Sequence, residues 1–315
     1  RMKYTEALER FGSDKPDTRF GMEITDLTDV VKDCGFGVFT SAIANGGTVR
    51  CITAKNGAST FTRKEIDKLT EYVKGIGVKG LAYIRWVEDA PNCSFGKFLG
   101  EGELDKILAA AGAEKGDVVF IIADKKNTAL TSLGALRLKC ARQLNIIPEG
   151  KFNFLWITEF PFFEWNEETQ HWDAMHHPFT MPMDECLQYL DTAPEKVFAK
   201  AYDLVLNGTE LSSGSIRITD YELQQKMFES LGLTDEEIEA KFGFLVEAYK
   251  YGAAPHGGMG IGLDRLAMIM CGADSLRDVT AFPKVQNASE LMSNCPAAVD
   301  KDSLDILGIE VTKSE

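Results

Sequence analysis

The chain has 315 residues, with 48 Asp and Glu against 34 Lys and Arg and a formal net charge of −14. Its length supports one to three domains with a substantial core, and 44% apolar against 26% charged residues is the make-up of a globular chain, not a disordered or fibrous one. The acidity argues against a protein that grips nucleic acid by bulk charge. No apolar run reaches the length of a membrane helix and no signal-peptide pattern opens the chain, so no membrane association is expected. Seven scattered cysteines (Cys34, Cys51, Cys93, Cys140, Cys186, Cys271, Cys295) include no CxxC pair. They point to a reducing, cytoplasmic setting without a disulfide framework or a thiolate zinc site. Arg1 stands where an initiator Met is expected, and the chain reads as a piece of a longer protein.

Tyr4–Phe11 predicts a short helix with Thr5 as its cap, stopped by the turn formers Gly12-Ser13-Asp14-Lys15-Pro16-Asp17. Lys15 reads either as a surface turn lysine or as a contact for an anion. From Met22 the pattern changes. Ile24, Leu27, Val30 and Val31 keep helical spacing, while the runs at 37–39, 49–53, 81–86 and 118–122 predict strands. Amphipathic helices are predicted over Thr62–Lys74 and Glu103–Ala111. Residues 22–127 thus form a smaller α+β unit that gathers no catalytic residue types. Thr131–Leu144 predicts an amphipathic helix with Arg137, Lys139 and Arg142 on its polar side, and 152–157 a buried strand.

Three of the four histidines, His171, His176 and His177, fall close together. Neighbours on an extended segment point to opposite sides, so they read as structural histidines or, if other donors converge, as zinc ligands. Further on, Asn207-Gly208 between apolar runs is a type I′ hairpin signal. That register pairs Leu206 with Thr209 and Val205 with Glu210, and sets Asp203 and Glu210 on one face. Two close carboxylates there are either a divalent-cation site or a solvated sheet face. Arg217 lies seven residues past Glu210 and should face the other way. One pocket can hold both only with a bulge, expected near Ser213-Gly214; otherwise Arg217 is a strand arginine in a surface ion pair. Helices follow at 221–231 and from the capping box Thr234-Asp235-Glu236-Glu237 to Gly252.

The string Pro255-His256-Gly257-Gly258-Met259-Gly260-Ile261-Gly262-Leu263-Asp264-Arg265-Leu266 predicts a glycine-rich strand passing into a helix that ends at Gly272. Read without further context it is a glycine-rich turn or a floor that a ligand approaches, with Arg265 placed to grip a phosphate or stack on a flat ring. The whole string resembles motif 3 of the class II aminoacyl-tRNA synthetases. Its Pro-His-Gly-Gly opening is similar to the aspartate/asparagine/lysine branch, and Gly12–Asp17, Gly134–Arg137, His176-His177-Pro178-Phe179 and Ala281–Lys284 narrow the resemblance to the bacterial aspartyl-tRNA synthetase family. The resemblance implies an α+β fold, a class II-like antiparallel sheet with flanking helices. Its implied segments are 1–21 and 128–315 for the catalytic domain and 22–127 for an inserted domain. It implies activation of L-aspartate with ATP and Mg²⁺, transfer to tRNA(Asp), and a homodimer in the full-length protein. Carried over residue by residue, it gives Arg265 a catalytic, ATP-holding role, with Glu210, Gly262, Leu263 and Asp264 beside ATP. It makes Asp203 and Glu210 the metal-binding acids, and His176, His177 and Arg217 substrate-binding, with Arg217 on the side-chain carboxylate. Motifs 1 and 2 are not found, so this stretch alone is expected to be inactive. The alternatives are charging of both tRNA(Asp) and tRNA(Asn), or a non-catalytic module that binds tRNA or a protein.

Overall fold

The computed structural model describes residues 1–312. Its contacts divide the chain into two units, Arg1–Gly260 and a second that begins at Ile261. In chain order the first unit contains β1 (Met2–Lys3), α1 (Tyr4–Phe11), β2 (Thr25–Asp26), α2 (Thr28–Val31), α3 (Gly37–Ala44), β3 (Thr48–Ala54), α4 (Arg63–Lys74), β4 (Ala82–Arg85), β5 (Asn92–Cys93), α5 (Glu103–Ala110) and β6 (Val118–Asp124). It continues with α6 (Lys126–Gln143), β7 (Phe154–Pro161), β8 (Phe163–Asn166), β9 (His171–Ala174), β10 (Phe198–Leu206), β11 (Thr209–Ile216), α7 (Tyr221–Ser230), α8 (Asp235–Lys250) and β12 (Gly257–Ile261), whose last residue opens the second unit. The second unit holds α9 (Leu263–Met270) and α10 (Lys301–Leu307).

Two five-stranded sheets result, ordered β1-β7-β10-β11-β12 and β2-β3-β6-β4-β5, which is the mixed α+β class that the sequence predicts. In the second sheet, β6 reads as an unbroken apolar run because both its faces are covered. Val118, Phe120 and Ile122 face α4 and α6, through Ile66, Leu69, Leu133 and Leu136. Val119 and Ile121 face the layer of Phe39, Ile107 and Leu108. Period-two alternation between two apolar layers leaves no polar side to show in the sequence.

Helix α6 joins this sheet to the start of the chain. Gly12 ends α1 at a φ of +66°, and a Cβ on Gly134 would stand 2.5 Å from the Gly12 carbonyl oxygen and 2.7 Å from that of Phe11. The two backbones meet with no room for a side chain. Arg50, from β3, adds a cross-link by pairing with Glu9 of α1 at 2.7 Å.

Several sequence expectations are corrected here. Residues 37–39 are helical, not extended; Phe36, Phe39 and Ile43 share one apolar layer, a helical spacing that a three-residue window cannot reveal. The 24–31 stretch begins as a strand paired with β3 and is helical only over Thr28–Val31. Thr5 caps nothing, the N-cap of α1 being Lys3 without a side-chain bond. Helix α6 starts earlier than expected, at Lys126, and Arg137 is not on a polar side: it is 1% exposed.

The Gly134→Ala substitution is expected to lower the unfolding free energy by about 1–3 kcal/mol. The readout is a lower denaturant midpoint at unchanged slope; an unchanged midpoint would mean that α1 and α6 do not meet at backbone distance.

Candidate functional site

The β10–β11 hairpin supplies the floor of the site. Asn207 and Gly208 both have positive φ, +52° and +81°, as the two central residues of a type I′ turn require. Leu206 pairs with Thr209 and Val205 with Glu210, but the next pair is Leu204 with Ser212. Leu211 is therefore an extra residue, a β-bulge. It lies closer to the turn than the Ser213-Gly214 position expected from the sequence. Beyond it Asp203 pairs with Ser213 and Ala201 with Ser215. Alternation across the bulge then places Asp203, Glu210, Ser213 and Ser215 on one face, and Arg217 continues it.

Over this face runs the segment from His176 to Thr180, tied down by an antiparallel bridge between Thr180 and Arg217. The two histidines part company, as neighbours on an extended segment should. His176 meets the Phe160 ring edge-on at 4.6 Å, with Nε2 buried and unpartnered. His177 turns to Arg217, whose Nη1 lies 2.7 Å from its Nε2, and Ser215 Oγ is 3.5 Å from the same nitrogen. Thr180, 1% exposed, stands beside the ring with Oγ1 at 3.3 Å from Nδ1; sequence reading passed over it, although it closes the His-His-Pro-Phe string. Burial, then the Arg217 charge, then His176 push the His177 pKa down to about 4. The imidazole is thus neutral near pH 7 and accepts a bond from the guanidinium without competing with its charge.

Asp203 is 5% exposed. Burial raises its pKa, a hydrogen bond from Ser213 opposes the shift, and the Glu210 charge adds to it. Its Oδ1 is buried with no hydrogen-bond partner. A divalent cation shared with Glu210 would satisfy that oxygen and relieve the repulsion, so the residues fit a Mg²⁺ site of the kind completed by phosphate oxygens. Among the described residues no group of three or more His, Cys, Asp or Glu side chains could hold a metal by itself, and His176 and His177 turn to different partners, Phe160 and Arg217.

The glycine strand β12 borders β11. Arg217 N–H donates to His256 O at 3.0 Å and Tyr202 Oη to Gly258 O at 3.1 Å. A Cβ on Gly214 would stand 2.2 Å from Gly258 O, so the two strands approach as only glycine allows. Ser213, Gly214, Arg217, His256 and Gly257–Gly260 line a cavity of about 340 Å³.

The family model for class II tRNA synthetases (D, K and N) matches residues 1–286. The chain belongs to that family. Among curated class II relatives, the aspartate–tRNA ligase of Ruminiclostridium cellulolyticum is 57% identical over 314 residues, 99% of this chain and 53% of that protein. That of Clostridium perfringens strain SM101 is 52% identical over 316 residues, 100% of this chain and 53% of its own length. The aspartate–tRNA(Asp/Asn) ligase of Lachnoclostridium phytofermentans is 54% identical over 314 residues, 99% of this chain and 52% of its own length. The chain spans about half the length of these synthetases.

The second unit carries the remaining residues of the class II string. Gly262 is the N-cap of α9, and Leu263, Asp264 and Arg265 form its first turn, where free N–H groups and the positive dipole end lie. Among the described residues no helix is long and apolar enough to cross a membrane.

Below about pH 6.5 the unfolded chain takes up a proton at residue 177 that the folded chain refuses until about pH 4. Folding stability conferred by neutral His177 is therefore present above pH 6.5 and lost as pH falls toward 4. His177→Gln should flatten that acid limb in urea denaturation repeated across the window. An acid limb as steep as in the unaltered protein would contradict the assignment.

Proposed function

We propose that the chain is part of an aspartate–tRNA ligase and supplies the half of its active site that reads the amino acid and steadies the phosphates. The observation that carries this reading is Arg217: a cation held on a neutral histidine in the lining of a glycine-floored cavity, on the same sheet face as buried Asp203 and half-buried Glu210. Arg217 binds the substrate's side-chain carboxylate. Asparagine would leave the guanidinium facing a neutral amide, a poorly compensated burial that favours aspartate.

In the reaction, the α-carboxylate of aspartate attacks the α-phosphorus of ATP and pyrophosphate leaves. The terminal ribose hydroxyl of tRNA then attacks the adenylate carbonyl and AMP leaves. The carboxylate is already a competent nucleophile, so positioning and charge neutralisation supply the rate. Asp203 and Glu210 would hold Mg²⁺, which when bound would supply neutralisation of phosphate charge. Arg265, with Gly262, Leu263 and Asp264, is assigned to ATP on its place in the class II string. His176 lines the aspartate side of the site beside His177, and residues 22–127 form the inserted domain. A second reading, charging of both tRNA(Asp) and tRNA(Asn), is supported by the 54% identity to a relative named for both.

ATP–pyrophosphate exchange by the intact gene product tests the reading, with aspartate, asparagine and lysine offered separately. Exchange is expected with aspartate alone, and Arg217→Ala should lower it about a hundredfold or more, the loss that follows removal of a charge-assisted contact. Arg265→Ala should also abolish it. Exchange with none of the three amino acids would overturn the proposal.

A further inference from the structure

Arg137 is the largest fully buried side chain among the described residues, and its hydrogen bonds go to main-chain carbonyls. Its Nη2 donates to the carbonyl oxygens of Asp17, Phe20 and Gly21 at 2.8, 3.0 and 2.9 Å, and its Nε to that of Met22 at 3.1 Å. The guanidinium lies over the rings of Phe20 and Phe11, at 4.0 and 4.9 Å from their centroids. Burial pulls its pKa down to about 10, a measure of how costly the placement is. Every donor bond it makes thus goes to the main chain of a single loop. The planar fork of an arginine suits that task; a lysine ammonium could not reach four carbonyls from one side.

The far side of the same loop bears on the site. Gly208 rests on Asp17: a Cβ there would stand 3.2 Å from the Asp17 Cβ, at a φ of +81°. Asp17 is itself held by Arg19, whose Nη2 donates to Oδ2 at 2.7 Å. Thr18 Oγ1 accepts from Asn153 Nδ2 at 3.4 Å, and the Asn153 N–H donates to Asn207 Oδ1 at 3.0 Å. Asn207 and Gly208 are the turn of the hairpin whose strands carry Asp203 and Glu210.

We infer that Arg137 is a positioning residue for the acidic pair: by clamping the 17–22 loop it fixes the Asn207-Gly208 turn, and through the turn the bulged strand that brings Asp203 and Glu210 together. The role of that pair rests on the reading given under the proposed function; the mechanical link from Arg137 to the turn does not.

Two measurements separate the two. In the first, amide hydrogen exchange is followed in Arg137→Met and in the milder Arg137→Lys, which keeps the charge should the Met variant fail to fold. Exchange should quicken about tenfold or more at Arg19 and over 207–210, with β3 and β6 unchanged, as expected of local opening. In the second, ATP–pyrophosphate exchange by the intact gene product is titrated with Mg²⁺. The variants should need about tenfold more Mg²⁺ for half-maximal rate, the size of a supporting-residue effect on a metal site, with the KM for aspartate unchanged. A hairpin whose exchange is unaltered, or an acceleration spread evenly over all strands, would overturn the inference. So would an unmoved Mg²⁺ requirement in variants with a loosened hairpin. If the unaltered protein itself shows no pyrophosphate exchange, the aspartate-activation reading fails, and hydrogen exchange alone decides the role of Arg137.

Discussion

If Leu211 were regularly paired instead of bulged, Glu210 and Arg217, seven residues apart, would face opposite sides of the sheet. The bulge places two residues of β11 opposite one step of β10 and resets the alternation. An acidic pair near the turn and an arginine beyond the end of β11 then share a face. The Asn207-Gly208 turn fixes where the count begins, since its two left-handed residues allow only one pairing of the flanking strands.

Charge on this face is arranged by sign along the strand. At one end Asp203 is buried beside Glu210, destabilised in its ionised form and short of one hydrogen bond. A cation shared by the two carboxylates would offset the cost of burying the Asp203 charge. At the other end burial and the Arg217 charge keep His177 neutral, and its ring accepts a hydrogen bond from the guanidinium. On the reading proposed here, cation and phosphates meet at the acidic end and the substrate carboxylate at the basic end. Ser213, Gly214 and Ser215 between them are small enough to let a ligand lie on the backbone.

Much of this was legible in the sequence. The Asn-Gly turn and its register, the capping box at Thr234, and the glycine strand passing into a helix all announce themselves through local chemistry, because turn and cap residues act within a few positions of themselves. The bulge was legible only as a requirement: two residues with a shared task had the wrong parity, and the composition around Ser213-Gly214 suggested a place slightly beyond the real one. What the sequence concealed depends on partners far along the chain. Arg137 looks like one of three basic residues on a helix; its partners are main-chain carbonyls more than a hundred residues earlier. The contact of Gly134 with Gly12 is equally silent, since an isolated glycine in a helix marks close approach without saying to what. Residues 37–39 misled because Gly-Val-Phe suits a strand until Ile43 is counted with them.

The central claim is that Arg217, seated on neutral His177, reads the substrate's side-chain carboxylate. Its most direct test is the structure of the intact gene product with a non-hydrolysable aspartyl-adenylate analogue bound. The account predicts the β-carboxylate within hydrogen-bond distance of the Arg217 guanidinium, with His177 still accepting from Arg217. A β-carboxylate held elsewhere, with Arg217 turned away to a surface acid, would contradict it.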